Sequence, residues 1–194
     1  MKTRIIFKYS WIYDQNWKKW IELYDTKIEN YPNTQEVLSY IDTIKGIWQK
    51  DEKRILEEIS RFTKLKWRYR NILCYIVGDC IPFSDPLIIG MNYDEPSDFV
   101  DMLTHELIHE ILDGADNSCW EYIYRKYKKE SQKVKNHIPV HAVHSHVLLT
   151  FFGKERLGKN IKFLSRLPDY KRSWDIVVRD GYEDIIENFL KGTR

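Results

Sequence analysis

The chain has 194 residues, with 31 Lys and Arg against 29 Asp and Glu, so its formal net charge is +2 at pH 7. A balance this close gives no indication of a nucleic-acid or membrane-surface partner, and we expect neither. The length is enough for one domain with a full hydrophobic core, so we expect residues 1–194 to form a single domain.

The three cysteines, Cys74, Cys80 and Cys119, are an odd number without a Cys-x-x-Cys pair. This pattern argues against a disulfide framework and against a thiolate metal site, and it favours reduced thiols. Neither a signal peptide nor a membrane-spanning segment can be recognised in the sequence. We therefore expect a cytoplasmic protein.

The N-terminal part combines one strand with helices. Apolar and aromatic residues predict a strand over residues 4–13, then a turn or cap and a short helix over 17–28. Helical spacing continues over residues 34–65, which predicts one long helix or two helices separated near Gly46 or Asp51. We expect this element to pack behind a sheet.

Two strands are predicted next. The nearly continuous apolar run of residues 70–77 suits a buried strand. Residues 87–92 suit a second strand, which follows a turn bracketed by Pro82 and Pro86.

Residues 104–110 read T-H-E-L-I-H-E and contain the pattern H-E-x-x-H. Apolar residues recur around the motif at three- and four-residue intervals, which predicts one helix that begins near Pro96 and stops at Asp113-Gly114. Residues four apart on a helix lie one above the other, so His105 and His109 can hold one metal ion. Glu106 can take the proton of a water on that metal as the water attacks a carbonyl. The strand before this helix is expected at the rim of a cleft, where its backbone can pair with an extended peptide.

Helices are predicted throughout the remainder of the chain. One begins at residues 116–118 and reaches Tyr127, and a polar stretch then ends near Asn136. The next helix has Pro139 in its first turn and continues to Gly153. Three more helical segments cover residues 155–165, 170–179 and 182–190.

Four of the six histidines fall within residues 137–146, and the other two belong to the motif. A catalytic zinc usually has three protein ligands and an open fourth position, so the motif histidines need a third ligand. His137, His141 and His144 share one helical face, whereas His146 points elsewhere. This concentration predicts a metal site shared by the two segments.

The motif His105-Glu106-Leu107-Ile108-His109 resembles the active-site helix of zincin metallopeptidases. The order of long helix, strands, motif helix and further helices is similar to a small zincin catalytic domain. The metzincin branch is excluded, because Leu112 and Ala115 stand where its glycine and its third histidine belong. Gluzincins use a downstream glutamate, for which the nearest options are Glu121, Glu130 and Glu155. SprT-like zincins place a third histidine on a downstream helix, and the segment 137–146 resembles that arrangement more.

His141 is the first choice for the third ligand and His144 is the second. His137 precedes Pro139 and is expected in the first turn of its helix, which makes it a weaker candidate. His137, His146 and the three glutamates stay open as alternatives.

The sequence therefore predicts an α+β fold of zincin type, with a small mixed sheet packed on a backing helix and on the motif helix, and a helical C-terminal part. Helices and sheet are expected over 1–98, and metal-binding and C-terminal helices over 99–194. The resemblance implies a zinc metallopeptidase in which His105, His109 and His141 bind Zn²⁺, Glu106 is the general base, and a peptide or protein is the substrate. Two other functions stay open: a zinc-binding protein of this fold without hydrolytic activity, and a helical interaction module in which the motif is accidental.

Overall fold

The structure is a computed structural model that describes residues 3–24 and 30–192. Over these residues the chain forms a four-stranded mixed sheet and nine α-helices, so the expected α+β class with a helical C-terminal part is confirmed. The elements in chain order are β1 (Arg4–Tyr9), α1 (Trp11–Tyr24), α2 (Thr34–Trp48), α3 (Glu52–Thr63), β2 (Asn71–Val77), β3 (Phe83–Ser84), β4 (Leu87–Gly90), α4 (Pro96–Leu112), α5 (Asn117–Lys126), α6 (Gln132–Phe151), α7 (Gly153–Leu164), α8 (Pro168–Asp180) and α9 (Tyr182–Lys191).

Contacts within the chain divide it into two compact units. The first consists of Met1–Leu56 and Tyr69–Leu107, and the second of Glu57–Arg68 and Ile108–Arg194. The boundary falls inside α4, which is one continuous helix. The single domain expected from the sequence stays a prediction.

The sheet of the first unit has the strand order β1-β2-β4-β3. β1, β2 and β4 run parallel, and β3 pairs antiparallel with β4. Ile5 pairs with Ile72 on a side of the sheet that is buried, and Phe7 lies opposite the buried Cys74. Residues two apart on a strand lie on the same face, so these two pairs mark the covered face of the sheet.

The strand order corrects one expectation. The strand before the motif helix, β4, lies between β2 and β3, so it is not a free rim strand. The edge beside it is β3, a two-residue strand in the stretch that was predicted only as a turn between Pro82 and Pro86. Two residues carry no detectable periodicity, which is why the sequence did not reveal β3.

α2 packs against β1 and β2, where a backing helix was expected, and α1 contacts β2. Asn33 begins α2 with a capping box: its side chain accepts a hydrogen bond from the Glu36 amide, and the Glu36 carboxylate accepts one from the Asn33 amide. α2 ends at Trp48 and α3 begins at Glu52, so the alternative of two helices separated near Asp51 is confirmed.

α1 begins at Trp11, so the strand predicted over 4–13 is too long and the helix start predicted at residue 17 is wrong. The end predicted at residue 28 lies outside the described residues. Asp14 shows why local reasoning failed: its buried carboxylate accepts hydrogen bonds from the Tyr31 hydroxyl (2.7 Å) and the Gly78 amide (2.8 Å). Neither partner is a near neighbour of Asp14 in the sequence. Judged from its neighbours alone, this aspartate therefore resembles a turn or helix-cap residue.

α6 is the central helix of the second unit and packs against α7, α8 and α9. Its N-cap is Ser131, whose hydroxyl accepts a hydrogen bond from the Val134 amide (3.2 Å). Pro139 therefore lies inside the helix, and both the polar stretch predicted up to Asn136 and the helix start predicted at Pro139 are wrong. Proline has no backbone N–H, so the helix lacks one hydrogen bond at this position.

The three helical segments predicted at the C-terminal end are confirmed as α7, α8 and α9. Pro168 is the first residue of α8, and Gly181 separates α8 from α9 with a φ of 81° that favours glycine. Within residues 3–24 and 30–192, the helices are too short or too polar to cross a membrane.

Candidate metal centre

α4 carries the H-E-x-x-H motif and buries the apolar stripe that the sequence predicted, including Phe99, Leu103, Leu107, Ile108 and Ile111. His105 and Glu106 are buried as well, whereas His109 is partly exposed. Because His105 and His109 are one turn apart on a continuous helix, their rings point to the same side. The motif therefore presents two imidazoles at a fixed spacing.

α6 supplies the other histidines. His137, His141 and His144 are all buried, as are the residues between them. His146 points elsewhere: its Nε2 hydrogen-bonds to Glu58, and its ring stacks on Phe62 with 3.8 Å between centroids. The predicted difference between His146 and the other three is therefore present in the structure.

The structure brings His105, His109 and His137 together, since one ligand nitrogen of each lies within 4.8 Å of the others. The rings of His109 and His137, both in the second unit, are 4.9 Å apart between centroids and inclined at 78°. Among the residues that the structure describes, this is the one group of three or more His, Cys, Asp or Glu with ligand atoms so close. The third member is His137, not the His141 that the sequence favoured.

A hydrogen bond defines which nitrogen of His137 can act as a ligand. Its Nδ1 lies 2.8 Å from the carbonyl oxygen of Lys133. A carbonyl oxygen can only accept, so Nδ1 carries the proton and Nε2 carries the lone pair. Backbone carbonyls commonly hold metal-binding histidines in this way, because the bond sets both the tautomer and the ring orientation.

His141 is held by α8 instead. Its Nδ1 lies 2.8 Å from the Ser173 hydroxyl oxygen, and its ring stacks on Trp174 with 4.1 Å between centroids and an angle of 8°. Ser173 donates its only proton to the carbonyl of Tyr170 (2.9 Å), so His141 is the donor in its bond to Ser173. These contacts fix the ring of His141 outside the group formed by His105, His109 and His137. Its centroid lies 5.5 Å from that of His137.

The other candidate ligands lie outside the group of three. His144 is fully buried near Trp174, with ring centroids 6.4 Å apart. Glu130 forms two hydrogen bonds with Arg172, at 3.0 and 2.6 Å. Glu121 and Glu155 are exposed. Within the described part of the chain, no glutamate joins the three histidines, so nothing resembles a gluzincin ligand set.

Four buried or largely buried histidines, His109, His137, His141 and His144, are neutral near pH 7 because burial lowers the pKa of each. Burial lowers the pKa of His109 to about 3, with a smaller contribution from the neighbouring His137. Burial also lowers the pKa of His137, although the Lys133 carbonyl acts in the opposite direction. The pKa of His141 lies well below its ordinary value for the same main reason, and that of His144 falls to about 3. Neutral imidazole is the form that binds a metal.

Glu106 lies one residue after the first histidine and points into the first unit. Its carboxylate interacts electrostatically with the thiols of Cys74 and Cys80 and with the Tyr93 hydroxyl. Burial raises the pKa of Glu106 to about 8. At this pKa the carboxyl group is largely protonated near pH 7, and a cation held by the neighbouring histidines would favour its carboxylate form, the form that acts as a base.

Tyr170 is a candidate site residue that the sequence did not single out. Its ring lies 4.2 Å from that of His137 and 5.6 Å from that of His141, between centroids. It is partly exposed at the start of α8, and Lys133 Nζ stands 5.1 Å from its ring centroid. The chain has 13 tyrosines, so no sequence signal could have selected this one.

In comparisons with known proteins, no family model, no curated protein and no solved structure matches the chain.

Proposed function

We propose that this protein is a zinc-dependent hydrolase that cleaves peptide bonds, with His105, His109 and His137 as the zinc ligands. The observation that supports the proposal is the convergence of the three histidine nitrogens within 4.8 Å, beside the buried carboxylate of Glu106. The resemblance of the motif to zincin metallopeptidases favours a peptide or protein as the substrate.

The donor set fits zinc. Three neutral imidazoles leave one position of a tetrahedral ion open, which is the arrangement of a catalytic zinc site. Two nitrogens bound at about 2.1 Å to one tetrahedral ion are about 3.4 Å apart. The upper limit of 4.8 Å for the three nitrogens is close enough that small ring rotations would bring them to this spacing.

The residues around such a zinc ion can each be assigned a role in hydrolysis. A zinc ion bound here would supply Lewis-acid chemistry, which polarises a peptide carbonyl and makes water a nucleophile near neutral pH. Glu106 accepts the proton of the attacking water and passes it to the departing amine. The role we assign to Tyr170, whose ring packs against that of His137, is to donate a hydrogen bond to the oxygen on which negative charge develops.

The test combines metal analysis with one substitution. We expect the purified protein to contain one zinc per chain and to cleave members of a fluorogenic peptide library in a chelator-sensitive manner. Glu106→Gln is expected to retain the zinc and to lose at least about a hundredfold in activity. Glu110→Gln makes the same chemical change one turn later on α4 and serves as the control.

An active Glu106→Gln variant would contradict the role of Glu106, and protein without stoichiometric zinc would contradict the whole proposal. Loss of activity in Glu110→Gln to the same extent would show that any charge change on α4 is damaging.

A second candidate function is a zinc-binding protein without hydrolytic activity. The observation that favours it is burial, because His105, Glu106 and His137 expose only 1%, 6% and 8% of their surfaces. Buried structural zinc sites have no open ligand position. A hydroxamate that binds zinc through such a position distinguishes the two functions: saturable binding by the zinc-loaded protein supports the hydrolase, and its absence supports the structural role.

A further inference from the structure

An exposed row of aromatic rings joins α1 to β3 in the first unit. Phe83 contacts Trp17 (5.9 Å between centroids), Trp17 contacts Trp20 (5.5 Å), and Trp20 contacts Tyr24 (4.7 Å). Ile81 lies two residues before Phe83. We call these five residues the aromatic patch.

The aromatic patch is unusual for its exposure. Trp20 exposes 42% of its surface, Tyr24 75%, Ile81 54% and Phe83 49%. Beside the tryptophans lies a shallow cleft lined by Tyr13, Asn16, Trp17 and Trp20. Single exposed apolar residues are common, but a continuous row with a cleft beside it marks a surface that another molecule covers.

One end of the aromatic patch reaches the surroundings of Glu106. The Cys80 thiol interacts electrostatically with the Glu106 carboxylate, and Ile81 follows Cys80 directly in the chain. Phe83 then belongs to β3, the edge of the sheet, where backbone groups are available for an added strand. The aromatic patch therefore adjoins, through Cys80, a residue that interacts with the proposed catalytic carboxylate.

The charges of α1 help to identify the occupant. Asp14 is buried, so the charges that α1 presents at the surface are those of Lys18, Lys19 and Glu22, which sum to +1. A helix that binds anionic lipid is rich in Lys and Arg on its polar face, whereas α1 has a single cation in excess. Aromatic rings next to a strand edge instead match a polypeptide that offers both a backbone and apolar side chains.

We propose that the aromatic patch docks an apolar, aromatic-containing segment of an unfolded polypeptide, which is the substrate class of the enzyme. This inference rests on the proposed function, since it assigns the segment to a chain whose cleavage involves Glu106.

The experiment measures binding apart from cleavage. All proteins carry Glu106→Gln, so that the probe stays intact, and the probe is fluorescently labelled α-lactalbumin that has been reduced and carboxymethylated to keep it unfolded. Fluorescence anisotropy gives its Kd. We expect the double substitution Trp20→Gln and Tyr24→Gln to weaken binding at least about tenfold, because aromatic residues dominate binding at such surfaces.

Two further variants keep the result interpretable. Phe83→Gln changes β3 instead of α1 and is also expected to weaken binding. It therefore tests the aromatic patch even if the substitutions in α1 disturb the folding of that helix. Val178→Gln removes an apolar side chain that is 73% exposed on α8 and is expected to leave the Kd unchanged. Circular dichroism verifies that each variant is folded.

Unchanged affinity in both patch variants would overturn the inference. So would an effect confined to dimerisation in analytical ultracentrifugation, or to co-sedimentation with vesicles of phosphatidylcholine and phosphatidylglycerol. Patch-dependent binding by the Glu106→Gln proteins, combined with no cleavage of the probe by the protein that retains Glu106, would support the docking surface and reject the proposed hydrolysis. Cleavage of the probe by proteins that retain Glu106, with a KM that the patch substitutions do not change, would support hydrolysis and reject the docking surface.

Discussion

The choice between His137 and His141 as the third zinc ligand can be decided by two matched substitutions. In His137→Asn, the side-chain amide nitrogen stands near the former Nδ1 position and can still donate to the Lys133 carbonyl, which lies 2.8 Å from Nδ1. Only the ring and its Nε2 are removed. His141→Asn likewise keeps a donor for Ser173 and loses the stacking contact with Trp174.

The expected difference in zinc affinity follows from the part of the binding free energy that one ligand contributes. Structural zinc sites with four ligands bind with about 10–16 kcal/mol, or about 2.5–4 kcal/mol for each ligand. Loss of His137 is therefore expected to raise the Kd for zinc by roughly a hundredfold to a thousandfold. His141 lies outside the group within 4.8 Å, so its replacement is expected to change the Kd by less than about tenfold.

Competition with a chromogenic chelator measures both Kd values at pH 7, and thermal unfolding shows whether the variants stay folded. A larger loss of affinity in His141→Asn than in His137→Asn would refute this reasoning and restore His141 as the third ligand. Equal, wild-type affinity in both variants would show that α6 supplies no ligand.

Three further predictions concern activity and stability. Tyr170→Phe is expected to lower kcat about tenfold or more with unchanged zinc content, because one hydrogen-bond donor is lost; an unchanged kcat on a cleaved fluorogenic peptide would exclude the role. Trp174→Ala removes a ring that is 1% exposed and is expected to lower the free energy of unfolding in urea by about 3–5 kcal/mol. A decrease below about 1 kcal/mol would contradict this expectation and would mean that neighbouring side chains fill the cavity. The Arg61 guanidinium, together with the His146 hydrogen bond, lowers the pKa of Glu58 to about 2. Because the folded pKa is lowered, this stabilisation is present above about pH 4.5 and is lost as the pH falls towards 2, so the stability difference between wild type and Glu58→Gln should shrink over that range; a constant difference would contradict the assignment.

The sequence was informative where structure is local. The apolar spacing around the motif predicted α4 and its buried face, because that spacing is set by the helix alone. The same reasoning placed His137, His141 and His144 together and separated His146, although the helix begins well before the predicted start at Pro139. Ser131 is the actual cap, and a serine in a polar stretch is a weaker signal than a proline.

The sequence was misleading where the structure of a residue depends on partners that are distant in the chain. Asp14 looks like a turn or cap residue but is buried in α1, because Tyr31 and Gly78 donate hydrogen bonds to it. The edge strand β3 and the position of Tyr170 likewise depend on pairing and packing between elements that are far apart in the chain.

By itself, the sequence determined that two imidazoles and a carboxylate share one turn and a half of helix, since their spacing is a property of the α-helix. Which third imidazole joins them was decided by tertiary structure. α8 holds His141 through Ser173 and Trp174, whereas the ring of His137 is bonded through Nδ1 to the Lys133 carbonyl of its own helix and lies beside the ring of His109. The physical reason is that a ring's orientation follows from the partners it packs and hydrogen-bonds with, and Ser173, Trp174 and His109 become neighbours of α6 only after folding.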